Sequence, residues 1–314
     1  MANPQAPVPT GGRADLKIDP SRCLLMRYSD SSCRRCAEAC PQAAIELGEG
    51  LSVIAERCTG CLLCTAKCPV GALEQIKDFS HSLGQLRRVP DPVLGCPRTS
   101  ESSHAALACL GGLSEEHLIT ICHTMPSAVS LNLSACRECP NSAAIERLRQ
   151  RLARLVEAGL TQGGSLVILA DSAGKLRYRE EVVGRRDFFK AFSKSLLRGA
   201  SDILASTAEQ DAPPSAYAGK RLPLRRELLN DVRESLPREL EEKVARHFDT
   251  RIRFEEACTF CQGCAAICPT GALAPEQPDT PPAFDAARCT GCGVCREFCL
   301  EQALQLASPG HAQP

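Results

Sequence analysis

Apolar residues recur at helical spacing in one stretch of the chain and form a continuous run in the next. Between Ser142 and Gly159, leucine and isoleucine recur every three or four residues with arginine and glutamate opposite, which predicts an amphipathic helix. Asn141 is placed to cap this helix, and Gly159 is placed to end it. The run Ser165–Ala170 (SLVILA) that follows predicts a buried strand.

Shorter apolar runs precede this helix, and a charged segment follows it at a distance. The runs suit short strands or helix segments at Val93–Cys96, Ala105–Cys109, Leu118–Cys122 and Val129–Leu133. The turn-rich stretch Pro90–Pro97 marks a domain boundary before them. Further on, Leu224–Phe248 has leucine and valine at helical spacing and is broken at Pro237. Its alternating acidic and basic residues predict a solvated helical connector.

Other segments lack such patterns. Met1–Pro20 is rich in Pro, Gly and Ala without an apolar core, so we expect a mobile tail over residues 1–17 rather than a signal peptide. Ser201–Pro223 is polar and rich in Ala, Pro and Ser, which predicts a flexible linker. No run of about 18 apolar residues occurs, so no membrane span is expected.

Gly184–Lys190 (GRRDFFK) resembles a twin-arginine export motif. It lies in mid-chain without an N-terminal apolar stretch behind it, so we do not expect it to direct export. The motif instead predicts the start of a helix with basic and aromatic faces, with a docking segment for a partner as the alternative.

Cysteine changes this picture. The 314 residues include 21 cysteines, no tryptophan and 4% aromatic residues. Chains this rich in cysteine are either extracellular disulfide frameworks or intracellular metal proteins. The chain length and the cysteine spacing favour a metal protein in a reducing cytoplasm. The formal net charge is zero, so no basic field indicates a nucleic-acid partner.

Most of the cysteines fall into four runs, of which three share the spacing Cys-x2-Cys-x2-Cys-x3-Cys. The complete runs are Cys58, Cys61, Cys64 and Cys68; Cys258, Cys261, Cys264 and Cys268; and Cys289, Cys292, Cys295 and Cys299. Proline follows the first two of these runs, whereas Leu300 follows the third. Zinc sites rarely repeat this spacing, which is typical of iron–sulfur clusters.

The remaining run is one cysteine short. It consists of Cys33, Cys36 and Cys40, and the regular position for its missing ligand is occupied by Asp30. Cys23 lies ten residues before Cys33. Either a loop insertion lets Cys23 supply the fourth thiolate, or Asp30 binds through oxygen, or a three-iron cluster forms without a fourth ligand. Soft iron–sulfide sites prefer thiolate, which favours Cys23.

Two phrases after the runs are nearly identical: Cys68–Leu73 (CPVGAL) and Cys268–Leu273 (CPTGAL). With the runs, they make residues 18–80 and 252–308 resemble the bacterial-type ferredoxin family that binds two [4Fe–4S] clusters. The resemblance implies two modules with short helices over small antiparallel ribbons, four [4Fe–4S] clusters and low-potential, one-electron transfer.

In that family the last cysteine of each run binds the cluster of the other run. The resemblance therefore implies four ligand sets: Cys23, Cys33, Cys36 and Cys68; Cys40, Cys58, Cys61 and Cys64; Cys258, Cys261, Cys264 and Cys299; and Cys268, Cys289, Cys292 and Cys295. Asp30 remains the alternative to Cys23 in the first set.

Four further cysteines stand between the modules: Cys96, Cys109, Cys136 and Cys139. Their order resembles the thioredoxin-like [2Fe–2S] ferredoxins and the delta subunit of methyl-viologen-reducing hydrogenase, and it implies a fifth, [2Fe–2S], cluster. The alternatives are buried thiols that act as small hydrophobes, a redox-active dithiol, or a zinc site. Cys122 follows an apolar run and is expected in the core. His104 and His123 are not expected to be ligands.

The sequence thus predicts an α+β fold in which two ferredoxin-like dicluster modules flank a small α/β domain. The expected segments are a tail (1–17), the N-terminal module (18–89), the α/β middle domain (90–185), a linker with a helical connector (186–250) and the C-terminal module (251–308).

The expected function is that of a polyferredoxin-type electron-transfer subunit of an oxidoreductase complex, rather than a catalyst alone. Its partner would be a molybdenum or tungsten oxidoreductase, a hydrogenase or a flavoprotein. The alternatives are a flavin- or dithiol-dependent oxidoreductase that uses the middle domain, and a cluster-based regulatory or assembly protein.

Overall fold

The computed structural model describes residues 15–75, 79–172, 174, 176, 178 and 219–307. Within these residues no helix has the length and apolar character needed to cross a bilayer. The predicted tail up to residue 14, the twin-arginine-like motif and the predicted linker up to residue 218 lie outside the described residues.

The N-terminal module consists of two antiparallel strand pairs and three short helices. Strand β1 (Leu16–Ile18) pairs with β4 (Leu73–Gln75), and β2 (Ile45–Leu47) pairs with β3 (Leu51–Val53). The helices are α1 (Leu24–Arg27), α2 (Arg35–Glu38) and α3 (Leu63–Lys67). Leu16 is buried in the module core, so the structure moves the start of the module from residue 18 to residue 16.

Helix α4 (Phe79–Leu86) follows the last strand of this module, and the sequence placed it in the same unit. In the structure Phe79, Leu83 and Leu86 are instead buried with the core residues of the middle domain. The predicted boundary at residues 89 and 90 is therefore wrong for the core, because the apolar face of α4 is covered by the domain that follows it.

The middle domain contains a four-stranded parallel sheet. Its strands are β5 (Val93–Gly95), β6 (Ala105–Ala106), β7 (Val129–Asn132) and β8 (Val167–Ala170). They lie in the order β6-β5-β7-β8, so the chain leaves β5 first toward one side and then toward the other. Ligand sites of open parallel sheets form at this type of switch point, outside the carboxyl ends of the strands.

Two helices cover this sheet, α5 (Glu115–Thr124) and α6 (Ser142–Glu157). Helix α6 confirms the helix predicted from the leucine spacing, and its buried face includes Ile145, Leu148 and Leu155. The strand predicted at Ser165–Ala170 forms as β8, but it is the last strand of the described sheet. Ile168 is 42% exposed there, so the expectation of a fully buried strand is wrong.

The connector consists of α7 (Leu224–Arg233) and α8 (Arg238–Phe248), with the predicted break at Pro237. Both helices were expected to be solvated. Leu229, Val232 and Val244 are instead buried in the core of the middle domain. The charged residues cover one face of these helices, and the regularly spaced apolar residues of the other face complete the core of the domain.

The C-terminal module repeats the plan of the N-terminal one. Strand β9 (Arg251–Phe254) pairs with β12 (Leu304–Ala307), and β10 (Leu273–Ala274) pairs with β11 (Ala283–Phe284), both antiparallel. The two short helices are α9 (Gly263–Ile267) and α10 (Val294–Phe298), which pack against each other. The described chain is therefore α+β with small sheets.

Candidate iron–sulfur sites

The three complete cysteine runs share a backbone conformation. Each turns through left-handed φ angles at the second and fourth residues after its first cysteine. These residues are Gly60 (φ 69) and Leu62 (φ 58), Phe260 (φ 55) and Gln262 (φ 60), and Gly291 (φ 60) and Gly293 (φ 90). Alternation of left-handed and right-handed residues directs successive N–H groups into one concavity, as in anion-binding nests. The incomplete run differs, since Arg34 at the corresponding position has φ −125.

Backbone N–H groups donate hydrogen bonds to the sulfur atoms. Ala44 N–H donates to Cys40 Sγ at 3.3 Å, and Ala72 N–H donates to Cys68 Sγ at 3.2 Å. Both donors lie four residues after a cysteine that ends a run, so the two runs hold their last thiol in the same way. Such hydrogen bonds stabilise negative charge on sulfur and are one means by which a protein tunes a cluster's potential.

The first ligand set comes together around Cys36. The pKa of Cys36 is raised to about 12, first by burial and then by the thiols of Cys68, Cys23 and Cys33. Cys23 ends a 3-10 turn and directly precedes helix α1. It is 8% exposed, and its pKa is raised by burial and by Cys68 and Cys33.

Asp30 has different surroundings. It is exposed and accepts a hydrogen bond from Ser29 Oγ at 3.3 Å. Its charge also contributes to a raised pKa of the Tyr28 phenol, after the effect of desolvation. The structure therefore brings Cys23 to the other three thiols and leaves Asp30 at the surface.

The second ligand set lies next to the first. Burial raises the pKa of Cys64, and the thiols of Cys61, Cys58, Cys36 and Cys40 raise it further. Cys36 belongs to the first set, so the two sets of this module are close in space. Cys40, Cys58, Cys61 and Cys64 line a cavity with about 430 Å³ of empty space, including the part open to solvent, together with apolar side chains. Four thiols around one apolar cavity are the donor set that a [4Fe–4S] cluster requires.

The C-terminal module has the corresponding arrangement. The cysteines around its enclosed cavity are Cys268, Cys289, Cys292 and Cys295, and the empty space is about 320 Å³. The pKa of Cys292 is raised to about 12 by burial and by the thiols of Cys268 and Cys289, although the Val294 N–H lowers it. These four thiols also fit a [4Fe–4S] cluster.

The last predicted set is the most open. Burial raises the pKa of Cys264, and the thiols of Cys261 and Cys258 add to the shift. Cys299 follows helix α10, which packs against the helix that carries Cys264. All of the cysteines lie in the described residues and carry free thiols, and Cys261 alone among them is exposed.

The middle-domain cysteines lie beyond the carboxyl ends of neighbouring strands. Cys96 directly follows β5, Cys109 comes after β6, and Cys136 and Cys139 come after β7. The pKa of Cys136 is raised to about 11, first by burial and then by the thiols of Cys96 and Cys139. The parallel sheet thus gathers at one edge cysteines that are up to 43 residues apart in sequence.

Cys109 joins this group to the N-terminal module. Its pKa is raised to about 12, first by burial and then by the thiols of Cys61, Cys96 and Cys136, while the Gly111 N–H lowers it. Cys61 belongs to the second ligand set, so Cys109 lies between two groups of thiols.

The turn after Cys109 packs directly against the cysteine loop of the N-terminal module. Asn141 Nδ2 donates to Thr59 O at 3.1 Å and lies 4.0 Å from Cys109 Sγ. A Cβ atom on Gly112 would lie 2.6 Å from Leu62 Cβ, which is closer than real Cβ contacts. The close approach therefore requires glycine at this position.

A buried arginine fixes the same turn from behind. Arg151 of α6 is 5% exposed and donates to Gly111 O at 2.9 Å and to Leu113 O at 2.7 Å. These bonds satisfy carbonyl groups that would otherwise be buried without partners. Helix α6 therefore positions the turn that carries Cys109.

The remaining candidates have core or backbone roles. Cys122 is 1% exposed in α5, and burial raises its pKa to about 11. His104 Nδ1 accepts from Val93 N–H, and His123 Nε2 lies 2.8 Å from Leu160 O. Among the residues that the structure describes, no three Cys, His, Asp or Glu side chains are arranged to hold a single metal ion.

Two adjacent arginines of α7 connect the ferredoxin modules. Arg225 donates to Cys68 O at 2.6 Å and to Thr65 O at 3.1 Å in the N-terminal module. Arg226 donates to Cys289 O at 3.4 Å in the C-terminal module and forms an ion pair of 2.7 Å with Asp249. Sequence analysis missed both, since nothing in a charged helix distinguishes a buried arginine from a solvated one.

Residues 31–72 match the family described as 4Fe-4S dicluster domain, and residues 251–300 match a second family with the same description. The chain contains two 4Fe–4S dicluster ferredoxin domains. The paired thiol sets lie in or next to these two segments, and the domains support an electron-transfer role. The middle domain lies outside both matches. No curated protein and no solved structure matches the chain.

Proposed function

We propose that this chain is a polyferredoxin-type electron-transfer subunit with four [4Fe–4S] clusters and a fifth, [2Fe–2S], cluster in the middle domain. The position of Cys109 carries this proposal. Its thiol faces Cys96 and Cys136 of its own domain and also Cys61 of the N-terminal ferredoxin domain. A cluster held by the middle domain would therefore adjoin the ferredoxin clusters instead of standing apart from them.

The bound clusters would supply one-electron redox chemistry, and the residues of this chain would hold and tune them. The thiols ligate, the N–H groups of Ala44 and Ala72 donate to sulfur, and apolar side chains such as Val53 exclude water from the cavities. Neighbouring thiol sets within each module provide short steps for an electron.

The chain would exchange electrons with a redox protein that carries out the chemistry, either a molybdenum or tungsten oxidoreductase, a hydrogenase or a flavoprotein. The surface near Cys261 supports one point of exchange. Leu300 is 95% exposed and Phe260 is 37% exposed in this module, so apolar surface accompanies the most open thiol set.

Iron content tests the cluster count. Protein purified without oxygen should contain about 18 iron atoms and as many acid-labile sulfides per chain, with a [2Fe–2S] signal in the EPR spectrum of the reduced form. About 16 iron atoms without that signal would leave only the four cubanes. Bound zinc in place of iron would overturn the proposal as a whole.

A pair of variants assigns the fifth cluster. Cys136→Ser should lose about two iron atoms and the [2Fe–2S] signal, because its thiol lies with those of Cys96 and Cys139. Cys122→Ala is the matched control, since it removes a buried thiol of the same domain that belongs to the core. A Cys136→Ser protein that retains both the iron and the signal would contradict the assignment.

A further inference from the structure

The two ferredoxin domains contact each other directly, in addition to the contacts made by α7. Arg35 lies between Cys33 and Cys36 in the N-terminal domain. Its Nη2 donates to Gly291 O in the C-terminal domain at 2.9 Å, and Gly291 directly precedes Cys292. The guanidinium group therefore bridges the cysteine loops of the two domains.

A carboxylate of the C-terminal domain makes the reverse contact. Ser31 Oγ donates to Glu297 Oε2 at 3.0 Å, and Ser32 N–H donates to Glu297 Oε1 at 3.3 Å. The Tyr28 and Phe298 rings meet edge to face beside it, with 5.4 Å between their centroids. The segment before Cys33 is thus held against the helix that ends at Phe298.

Apolar packing is continuous across the same contact. Val294 of the C-terminal domain is 1% exposed and belongs to the buried cluster that contains Cys36 and Cys68 of the N-terminal domain. Cys33 and Cys292 both pack against this cluster. Thiols from one ligand set in each domain therefore border a shared core.

The charge of Arg35 acts on both sides of this contact. Burial raises the pKa of Cys33 and of Cys292, and the guanidinium group opposes that shift at each thiol. Glu297 has the opposite effect across the contact, since its charge adds to the raised pKa of Cys33.

We infer that this contact is an electron-transfer junction that joins the Cys23, Cys33, Cys36 and Cys68 set to the Cys268, Cys289, Cys292 and Cys295 set, and that Arg35 tunes the potentials of the clusters on both sides. The inference rests on the proposed function, because each set must hold a cluster. One cluster loses an electron and its neighbour gains it, with no bond or proton transferred. The two ferredoxin domains then form one path that continues from the middle domain to the set around Cys261.

Arg35→Gln in the intact holoprotein tests the junction through an EPR-monitored potentiometric titration. The positive charge stabilises the reduced, more negative form of each adjacent cluster, so its loss should shift two midpoint potentials to more negative values. One should be the potential of the signal that Cys33→Ser abolishes, and the other that of the signal that Cys292→Ser abolishes.

Arg34→Gln is the matched control, because it removes a neighbouring but exposed arginine and should leave both potentials unchanged. A shift of the Cys33-dependent signal alone, or of neither signal, would overturn the junction while the iron count still supports the proposed function. Fewer than four [4Fe–4S] clusters in the wild-type protein would instead be a failure of the proposed function.

Glu297→Gln provides an independent test if Arg35→Gln fails to retain its clusters. Loss of this negative charge from the C-terminal domain should shift the Cys33-dependent potential of the N-terminal domain to a more positive value. An unchanged potential in a Glu297→Gln protein with full iron content would also overturn the inference.

Discussion

At the scale of single residues, the first ligand set shows where spacing stops being informative. The regular spacing places a ligand at Asp30, but it assumes the left-handed turns that occur at Gly60 and Leu62. Arg34 does not adopt such a conformation, so the chain reaches Cys36 by a different route. A 3-10 turn and a helix bring Cys23 to this set instead, and neither could be inferred from the count of residues between cysteines.

Paired substitutions test this assignment. Cys23→Ser should lose iron from one cubane or convert it to a three-iron cluster, because a hydroxyl is a poor ligand for soft iron–sulfide sites. Asp30→Asn is the control and should retain the full iron content and the wild-type EPR spectrum. The opposite result, with intact clusters in Cys23→Ser and loss in Asp30→Asn, would make Asp30 the ligand.

At the scale of elements, periodicity was informative where one element decides its own burial. The leucine spacing of α6 predicted both the helix and its buried face. The burial of β8 depends on which strands lie beside it, and an apolar run alone cannot supply that information. The connector helices were misjudged for the same reason, since the alternating charges indicate a solvated face but not what covers the other one.

The start of helix α5 contains a reciprocal cap with a buried histidine. Ser114 N–H donates to His117 Nδ1 at 3.2 Å, and His117 N–H donates to Ser114 Oγ at 3.4 Å. The pKa of His117 is lowered to about 4, chiefly by burial, with Arg225 and Arg151 adding to the shift and Glu116 opposing it. The cap therefore requires a neutral imidazole.

This cap predicts a pH-dependent stability. The unfolded histidine binds a proton below about pH 6.5, whereas the folded one stays neutral down to about pH 4, so stability is lost as the pH falls through this range. We expect a loss of about 1 kcal/mol between pH 7.5 and 5.5, measured by denaturant titration. His117→Gln should remove this dependence, and replacing the exposed His81 by Gln should not. Equal pH profiles for wild type and His117→Gln would contradict the prediction.

At the scale of the whole molecule, the ferredoxin domains are parts of one packed structure. The repeated cysteine runs predict two modules, but no repeat predicts how the modules meet. Their relation depends on arginines such as Arg225 and Arg226, which bind backbone carbonyl groups of the cysteine loops. A backbone carbonyl has no signature in the sequence, so these contacts require the structure.

Arg226→Met should weaken this assembly. Arg226 is 3% exposed, and its loss leaves Asp249 and several carbonyl groups with fewer partners, at a cost of about 2–4 kcal/mol. The measurement is the urea midpoint for loss of the visible cluster absorbance without oxygen. Arg238→Met removes an ion pair on the exposed surface of α8 and should change stability by less than about 1 kcal/mol. Equal midpoints for the two variants would show that the buried arginine does not hold the domains together.

The glycine that faces Leu62 limits how this protein can be recombined. Ferredoxin domains look like cassettes that could be exchanged between chains, because each carries its own cysteines. The turn at Gly112 leaves no space for even a methyl group against the cysteine loop. A transplanted N-terminal cassette would have to match this surface atom for atom, and one with a bulkier loop would separate the two redox centres that the contact now keeps adjacent.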